Sequence, residues 1–366
     1  MTILFLCGSL EPGKNGVGDY TRRLAGECIR QGHRAMMVAL NERTLPKELE
    51  VDWLVASQQE DYGTPIPTWR WPNAISWNRR GRALVDIIQS EKPDVVSIQF
   101  VPYSFNPKGL PFAFIWTLRK LTSKVKVRWH LMFHELWLGE EVGASAKHRL
   151  IGTVQRILIR NLVGILPECT LSTSNSLYKR LLSDRGLRAQ ELPLFSNLRH
   201  EPSCYLPTDT ARIAIFGHLE SRDLGEEIIA HIKKLDIAGS ITFVLVGNVG
   251  DLWRSIVSAA AVNFQETGFI DSGSISETFQ QCRLGLASTN VYRVGKSGSA
   301  MAMVEHGLPV YVGSAGWTPR HHRNEENPLP VGLYPIKALE SLCDLPHTTP
   351  QNRLADSAQQ FLNQCR

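Results

Sequence analysis

The sequence predicts an α/β protein made of two doubly wound halves, each a mostly parallel sheet with crossover helices, and three observations carry that prediction. Short apolar runs bounded by turn residues alternate with stretches of helical periodicity along the whole chain, as parallel sheets require. At 366 residues the chain is long enough for two domains. The segment Leu192 to Asp209 holds Pro193, Pro202 and Pro207 with few periodic residues, and the strand–helix alternation restarts after it at Ile213. The expected organisation is therefore residues 1–200 as one domain, 201–350 as a second, and 351–366 as a C-terminal helix striped by Leu354, Ala358, Phe361 and Leu362.

In the front half the expected strands are Thr2 to Cys7, Ala35 to Leu40, Val51 to Ala56, Asp94 to Phe100, Lys126 to Met132 and Leu166 to Ser174. The back half offers Ile213 to Phe216, Ile241 to Val246, Leu284 to Ala287 and Pro309 to Val312. Each is a short apolar run of the kind that a strand buried on both faces produces. The clearest helix runs from Gly18 to Gln31, with Val17, Tyr20, Leu24 and Cys28 on one stripe and Gly32 at its C-terminal cap. Ligands of two such sheets are expected at the carboxyl ends of the strands.

Composition narrows the function classes. Lys plus Arg number 40 against 35 Asp plus Glu, a net charge of +5. Spread over this length, that suits an anionic ligand or a lipid surface and falls short of a nucleic-acid footprint. Seven cysteines without a C-x-x-C pair suggest neither a disulfide framework nor a zinc site, and a reducing cytoplasm is the default. The apolar start Ile3 to Cys7 lacks a basic flank and is stopped by Gly8, so it reads as a strand rather than a signal peptide. No run reaches the length needed to span a bilayer, which leaves peripheral membrane contact open.

Several motifs bear chemistry, each beside a plainer reading. Gly8 to Asn15 nearly spells a phosphate-binding loop, but Asn15 has no hydroxyl for Mg²⁺; what survives is a glycine turn, Gly13 to Gly18, opening a helix. Gly295-Lys296-Ser297-Gly298-Ser299-Ala300 opens another helix, where successive N–H groups, two hydroxyls and a lysine make a seat for a diphosphate. The plainer reading is close helix–sheet packing. His134 is expected at a strand's carboxyl end, as a catalytic or a hydrogen-bonded structural histidine. His218 and Arg222 flank the turn after Ile213 to Phe216; Arg222 suits phosphate, or a surface pair with Glu220 or Asp223. Trp69, Trp71, Trp77, Arg79, Arg80 and Arg82 combine aromatics and cations, either docking on anionic headgroups or packing tryptophans under the domain with a solvated basic helix face. His33, His321 and His322 have no metal-ligand spacing on a shared face, so no metal site is expected.

Taken together these pieces resemble the family 4 type of GT-B glycosyltransferases over most of the chain. The strongest stretch is Pro12 to Ala25 (PGKNGVGDYTRRLA), closed by Gly32-His33. Further similarities, in order, are Pro93 to Val96 with Gln99, Phe133 to Leu136, Ser172 to Asn175, Phe216 to Leu219, Leu245 to Asn248 and Glu305 to Val310. The departures are specific. The family usually carries two glutamates eight positions apart before the Gly-x-Pro-Val turn, and Val294 and Ala302 stand there. His218 replaces the usual Arg, and Asp223 the usual Lys.

The resemblance implies a GT-B fold, two doubly wound Rossmann-like domains facing across a cleft, the first binding the acceptor and the second a nucleotide-sugar. It implies a retaining, metal-independent glycosyltransferase moving a sugar from a UDP- or GDP-sugar to a hydroxyl on a glycan, a lipid-linked or a small-molecule acceptor, without a cofactor. By the same resemblance the catalytic groups are His134, Arg222 and Lys296. Donor-binding groups are Gly16, Val17, Gly18, His218, Gly247, Phe269, Ile270, Ser297, Gly298, Ser299 and Glu305, the last taking over the ribose contact. Loss of both glutamates keeps an inactive GT-B-like partner subunit as the alternative, ahead of a P-loop-like NTPase.

Overall fold

Strands form where aliphatic residues run without interruption, and two sheets result. The computed structural model describes residues 1–43, 45, 53, 54, 56–198, 211–235, 241–320, 328–342, 345, 346 and 349–366. These fall into two units, one of residues 1–174, 178–192 and 354–366, the other of 175–177 and 193–353.

The first unit is built on eight strands: β1 (Thr2–Cys7), β2 (Arg34–Glu42), β3 (Ser57–Asp61), β4 (Thr64–Pro72), β5 (Val95–Phe100), β6 (Arg128–Phe133), β7 (Thr170–Thr173) and β8 (Ala189–Glu191). They lie in the order β3-β4-β2-β1-β5-β6-β7-β8, parallel except for the β3–β4 hairpin. Its helices are α1 (Gly16–Arg30), α2 (Trp77–Glu91), α3 (Pro102–Phe105), α4 (Phe112–Thr122) and α5 (Ala146–Ile165); α6 (Ser176–Ser183) follows at the junction of the units. The second unit holds β9 (Ala211–Phe216), β10 (Ile241–Val246), β11 (Phe264–Gly268), β12 (Leu284–Ala287), β13 (Val310–Val312) and β14 (Leu333–Pro335). Its helices are α7 (Arg222–Ile232), α8 (Gly250–Ala259), α9 (Ser272–Gln280) and α10 (Gly298–Glu305). This sheet runs β11-β10-β9-β12-β13-β14, all parallel. The last helix, α11 (Arg353–Gln364), belongs from Leu354 onward to the first unit, where the Phe361 ring packs tilted against Phe5 of β1, centroids 5.4 Å apart.

Differences from the sequence reading have local causes. Helix α1 starts at Gly16, not Gly18, because the Asn15 side chain accepts the Gly18 amide at 2.9 Å and caps it. The run expected from Leu166 to Ser174 is strand only over Thr170–Thr173: Leu166 caps α5, and Glu168 turns the chain with φ of 50°. Positions 51, 52 and 55 of the expected strand Val51 to Ala56 lie outside the described residues, as do His321 and His322 and most of the proline segment near 200. Strand β4 went unread because Pro65 and Pro67 interrupt the pattern, and β3 because SQQED has no apolar run. Both prolines pair only with the edge strand β3, before β4 meets β2 at Thr68, and so take no place in the interior ladder. The hairpin turns at Tyr62-Gly63, both at positive φ.

The tryptophan–arginine cluster divides: Arg79 and Arg82 are exposed on α2 and Trp77 is half-buried, while the rest goes into the core. Trp69 and Trp71 are buried on β4. Arg70 is paired with Glu42, and Arg80, expected on a solvated face, turns inward to the Leu40 carbonyl and Asn41.

Side-chain alternation in the second sheet positions its site helix. Ile213 and Ile215 of β9 face one core with α7 and α8, while Ala214 faces another with α10. On the α10 side Gly285 of β12 leaves room for Met303, whose sulfur would lie 2.6 Å from a Cβ there. Small residues on the strands thus let α10 sit close over the sheet.

Candidate functional site

In the second unit the carboxyl ends of β9, β10 and β11 come together with the amino end of α10. Gly217, immediately after β9, has φ of 91°, and a Cβ there would fall 2.7 Å from Ser299 Oγ. Only glycine allows this approach. Ser297 caps α10, accepting the Ala300 amide at 3.3 Å, and its hydroxyl lies 3.1 Å from that of Ser299. Lys296 ends the 3-10 turn Val294–Lys296 just before the cap. Gly298 occupies the first helical position, where amide N–H groups lack intrahelical partners. The result is a strand-end turn, two hydroxyls, a lysine and a helix amino terminus at one place, and such a terminus carries partial positive charge.

Beside it, Gly247 ends β10 at φ of 69°, donates its N–H to Thr267 Oγ1 at 2.9 Å and bridges to Gly268. The Phe216 ring lies 3.7 Å from a Cβ on Gly247, which joins the two strand ends. Phe269, next in the chain after this bridge, is 88% exposed, with Ile270 half-buried behind it. Phe269 thus presents an aromatic face to solvent beside a polar turn. His218 is exposed and packs against Gly250, 2.6 Å from the place of a Cβ there.

Two expected members stand apart. The Arg222 guanidinium, on the first turn of α7, bonds to Ser255 Oγ of α8 at 3.2 Å and pairs with Glu226 at 3.5 Å, both at the surface. Glu305 is six residues beyond Ser299 along α10, roughly 9 Å by helical rise, and its buried carboxylate accepts the Ser196 amide at 2.7 Å. Val294 and Ala302, at the places of the two family glutamates, are both buried in the apolar core under α10. The sequence reading missed Arg293. Four residues before the cap, it pairs with Glu220 and lies over the Trp317 ring at 5.5 Å, while Glu220 also accepts the Asn290 amide at 3.2 Å. This pair spans 73 positions, a separation with no local sequence pattern.

In the first unit, His134 follows β6 and is buried, its Nε2 donating to Gln99 Oε1 at 2.8 Å, edge-on to the Tyr20 ring at 4.8 Å. Gln99 begins a buried chain of hydrogen bonds. Its amide donates to Ser97 Oγ at 2.8 Å, Ser97 lies 2.9 Å from His130 Nδ1, and His130 Nε2 lies 3.0 Å from Ser172 Oγ, which donates to Gln364 Oε1 at 2.8 Å. With every donor assigned, Ser97 gives its proton to Nδ1 and His130 is a neutral Nε2–H imidazole. Complete burial holds the His130 pKa down, from 6.5 to about 3.

The loop before α1 is anchored on the same unit. Glu42, buried at the end of β2, accepts from Ser9 Oγ at 2.7 Å, the Leu10 amide at 2.8 Å and Arg70 Nε at 2.8 Å. Within the glycine turn, a Cβ on Gly18 would meet the Ser9 carbonyl at 2.5 Å, whereas one on Gly16 would meet nothing within 4 Å. Gly18 therefore serves internal packing, and the open face of the turn lies at Gly16 and the neighbouring Val17. Lys14 pairs with Glu11 at the surface at 3.1 Å, and Asn15, at the place of a P-loop's metal-binding hydroxyl, is used as a helix cap. Among the described residues no group of three or more His, Cys, Asp or Glu is arranged to hold a metal ion.

Comparisons with known proteins fit this geometry. A family profile described as a glycosyl transferase 4-like domain matches residues 15–197, half of the chain. Among solved structures, Anabaena HepE (Alr3699) in complex with UDP is similar at a TM-score of 0.56 and 15% identity, over 100% of this chain and 95% of that one. The lipopolysaccharide outer core galactosyltransferase WaaB gives 0.54 and 13%, over 100% and 94%. AviGT4, a glycosyltransferase involved in avilamycin A biosynthesis, gives 0.53 and 12%, over 100% and 97%. Curated protein sequences gave no match. Two Rossmann-like parallel sheets, a glycine turn opening α1 and the glycosyl transferase 4-like match over residues 15–197 lead to one conclusion: the chain belongs to the glycosyl transferase 4-like family and is a GT-B glycosyltransferase.

Proposed function

We propose that the protein transfers a sugar, with retention of anomeric configuration and without a metal, from a UDP-sugar to a hydroxyl acceptor. The observation that carries the donor site is the approach of Gly217 to Ser299 at the amino end of α10, with Lys296 and Ser297 beside it. A diphosphate seated there takes amide N–H groups and two hydroxyls as donors and the lysine as counter-charge, which is the stabilisation a departing nucleoside diphosphate requires. The similar HepE structure holds UDP, which favours uridine over the other bases. Gly247, Phe269 and Ile270 take the base and ribose, Phe269 by stacking. His218 joins them at the strand ends.

Retention follows if the leaving diphosphate, rather than a protein carboxylate, helps to deprotonate the attacking hydroxyl on the same face. Buried Val294 and Ala302, where the family has glutamates, suit that route, since it asks for charge neutralisation and not for a protein nucleophile. Positive charge from Lys296 and the α10 terminus supplies it without a divalent ion. Arg222 joins only by leaving Ser255 and Glu226, so Lys296 carries the larger share. On the first unit, His134, held in one orientation by Gln99, and the open face of the turn at Gly16 and Val17 serve the transferred sugar. Glu305 supports the donor side indirectly, by fixing Ser196.

The test is a thermal-shift panel of UDP, GDP, ADP and dTDP with and without Mg²⁺, on wild type and Lys296→Ala, because a ligand that binds only the folded state raises its apparent stability. The expected outcome is a metal-independent shift by UDP that Lys296→Ala loses. A shift that requires Mg²⁺, or one unchanged in Lys296→Ala, refutes the assignment of charge. No shift by any nucleotide at millimolar concentration refutes the donor site.

A further inference from the structure

Helices α4 and α5 of the first unit leave apolar side chains in water. Phe112 and Trp116, one turn apart on α4, are 55% and 57% exposed; Leu150 and Ile157, two turns apart on α5, are 68% and 55% exposed. The opposite face of α5, with Gln155, Leu158, Ile159 and Leu162, is buried, so the exposed stripe is a second apolar face rather than a frayed edge of the core. Between the helices runs a groove of about 980 Å³ whose lining includes Phe112, Trp116 and Ile157 with Arg119 and Arg160, and no carboxylate.

The two helices themselves carry charge of one sign, although Glu140 and Glu141 in the preceding loop pair with Arg156 and His148 of α5. From residue 95 to 134 the chain carries Lys108, Arg119, Lys120, Lys124, Lys126 and Arg128 and no Asp or Glu, and α5 carries Lys147, Arg149, Arg156 and Arg160 and no Asp or Glu. Among the described residues Arg119, Lys120, Lys147 and Arg160 have no carboxylate partner, and Lys120 lies over the Trp116 ring at 5.4 Å. A second copy of the chain placed on this face would bring like charges together. Aromatic and aliphatic side chains flanked by unpaired cations fit instead a surface that is apolar below and anionic at its rim. No helix among the described residues is long and apolar enough to cross a membrane.

We infer that the α4–α5 face docks on an anionic lipid bilayer, with Phe112, Trp116, Leu150 and Ile157 entering the headgroup–acyl boundary and Arg119, Lys120, Lys147 and Arg160 meeting lipid phosphates. The surface lies in the first unit and is independent of the donor site proposed on the second.

The test is co-sedimentation of the full chain with vesicles of phosphatidylcholine, with and without phosphatidylglycerol, at low and high salt. Wild type is expected to sediment only with phosphatidylglycerol present and to be released by salt. Trp116→Ser with Ile157→Ser, and separately Arg119→Gln with Arg160→Gln, are each expected to weaken binding about tenfold while leaving the UDP thermal shift in place. All four side chains face solvent, and the second pair keeps the test valid if the first fails to fold. Three results overturn the inference: no sedimentation with anionic vesicles; binding unchanged in both variants; or a wild-type dimer that the first pair converts to monomer, in which case a second copy covers the face.

Discussion

Acid should unfold this protein partly through one buried histidine. In the folded state His130 is held neutral between Ser97 and Ser172, its pKa lowered by burial to about 3, while in the unfolded chain it returns to 6.5. Above pH 6.5 both states are neutral and His130 adds no pH dependence. As pH falls below 6.5 the unfolded chain gains a proton that the folded chain refuses, so stability is lost down to the folded pKa. With those two values the loss is about 2 kcal/mol at pH near 5 and approaches about 5 kcal/mol below pH 3. Replacing the imidazole by a hydrogen-bonding amide that does not titrate, His130→Gln, should lower stability at neutral pH but remove this slope. The assay is urea unfolding of wild type and variant at pH near 7.5 and near 5. The quantity compared is each protein's change between the two pH values, in which contributions common to both cancel. The expected result is a wild-type loss larger than the variant's by about 2 kcal/mol. Equal losses would refute the reasoning, as would an NMR titration placing the His130 pKa near 6.5.

Two further substitutions probe features described above. Gly217→Ala forces a side chain into a positive-φ position against Ser299; it should cost about 1–3 kcal/mol by thermal or urea unfolding and abolish the UDP shift, and an unchanged shift would remove the strand-end turn from the donor site. Phe361→Ala empties the contact of α11 with Phe5 and His130; a loss of about 3–5 kcal/mol is expected in urea unfolding, whereas a loss under 1 kcal/mol would mean that α11 is not part of the first unit's core.

Which features the sequence displayed follows from what each element needs. β1, β5, β9 and β10 were legible because strands buried on both faces are mostly apolar, and Ile3 to Cys7 and Phe243 to Val246 are unbroken apolar runs. β11 was not, because FQETG is an edge strand exposed along most of its length and carries no apolar run. The amino end of α10 was visible as a cluster of glycine and serine, since close approach demands small residues locally. The partners of Glu220, Glu42 and Glu305 were invisible, because a carboxylate that fixes a backbone amide or an arginine tens of residues away leaves no periodic trace. For Trp69 and Trp71 the sequence left two readings, docking on a surface or packing under the domain, and burial on β4 bears out the second.

The return of α11 to the first unit bears on how the chain is made. A ribosome delivers residues 1–192 well before it delivers the helix that covers Phe5 and His130 and receives the Ser172 hydroxyl. Until then the first sheet emerges with part of its apolar face uncovered, whereas the second unit, written almost continuously from 193 to 353, has all its own strands in hand. Nascent chains of this protein should therefore mature in reverse order of their synthesis, with the earlier half waiting on the later. Expression of the first half alone would yield a complete sheet with part of one apolar face uncovered for chaperones to hold, unless residues 354–366 are supplied as a separate peptide.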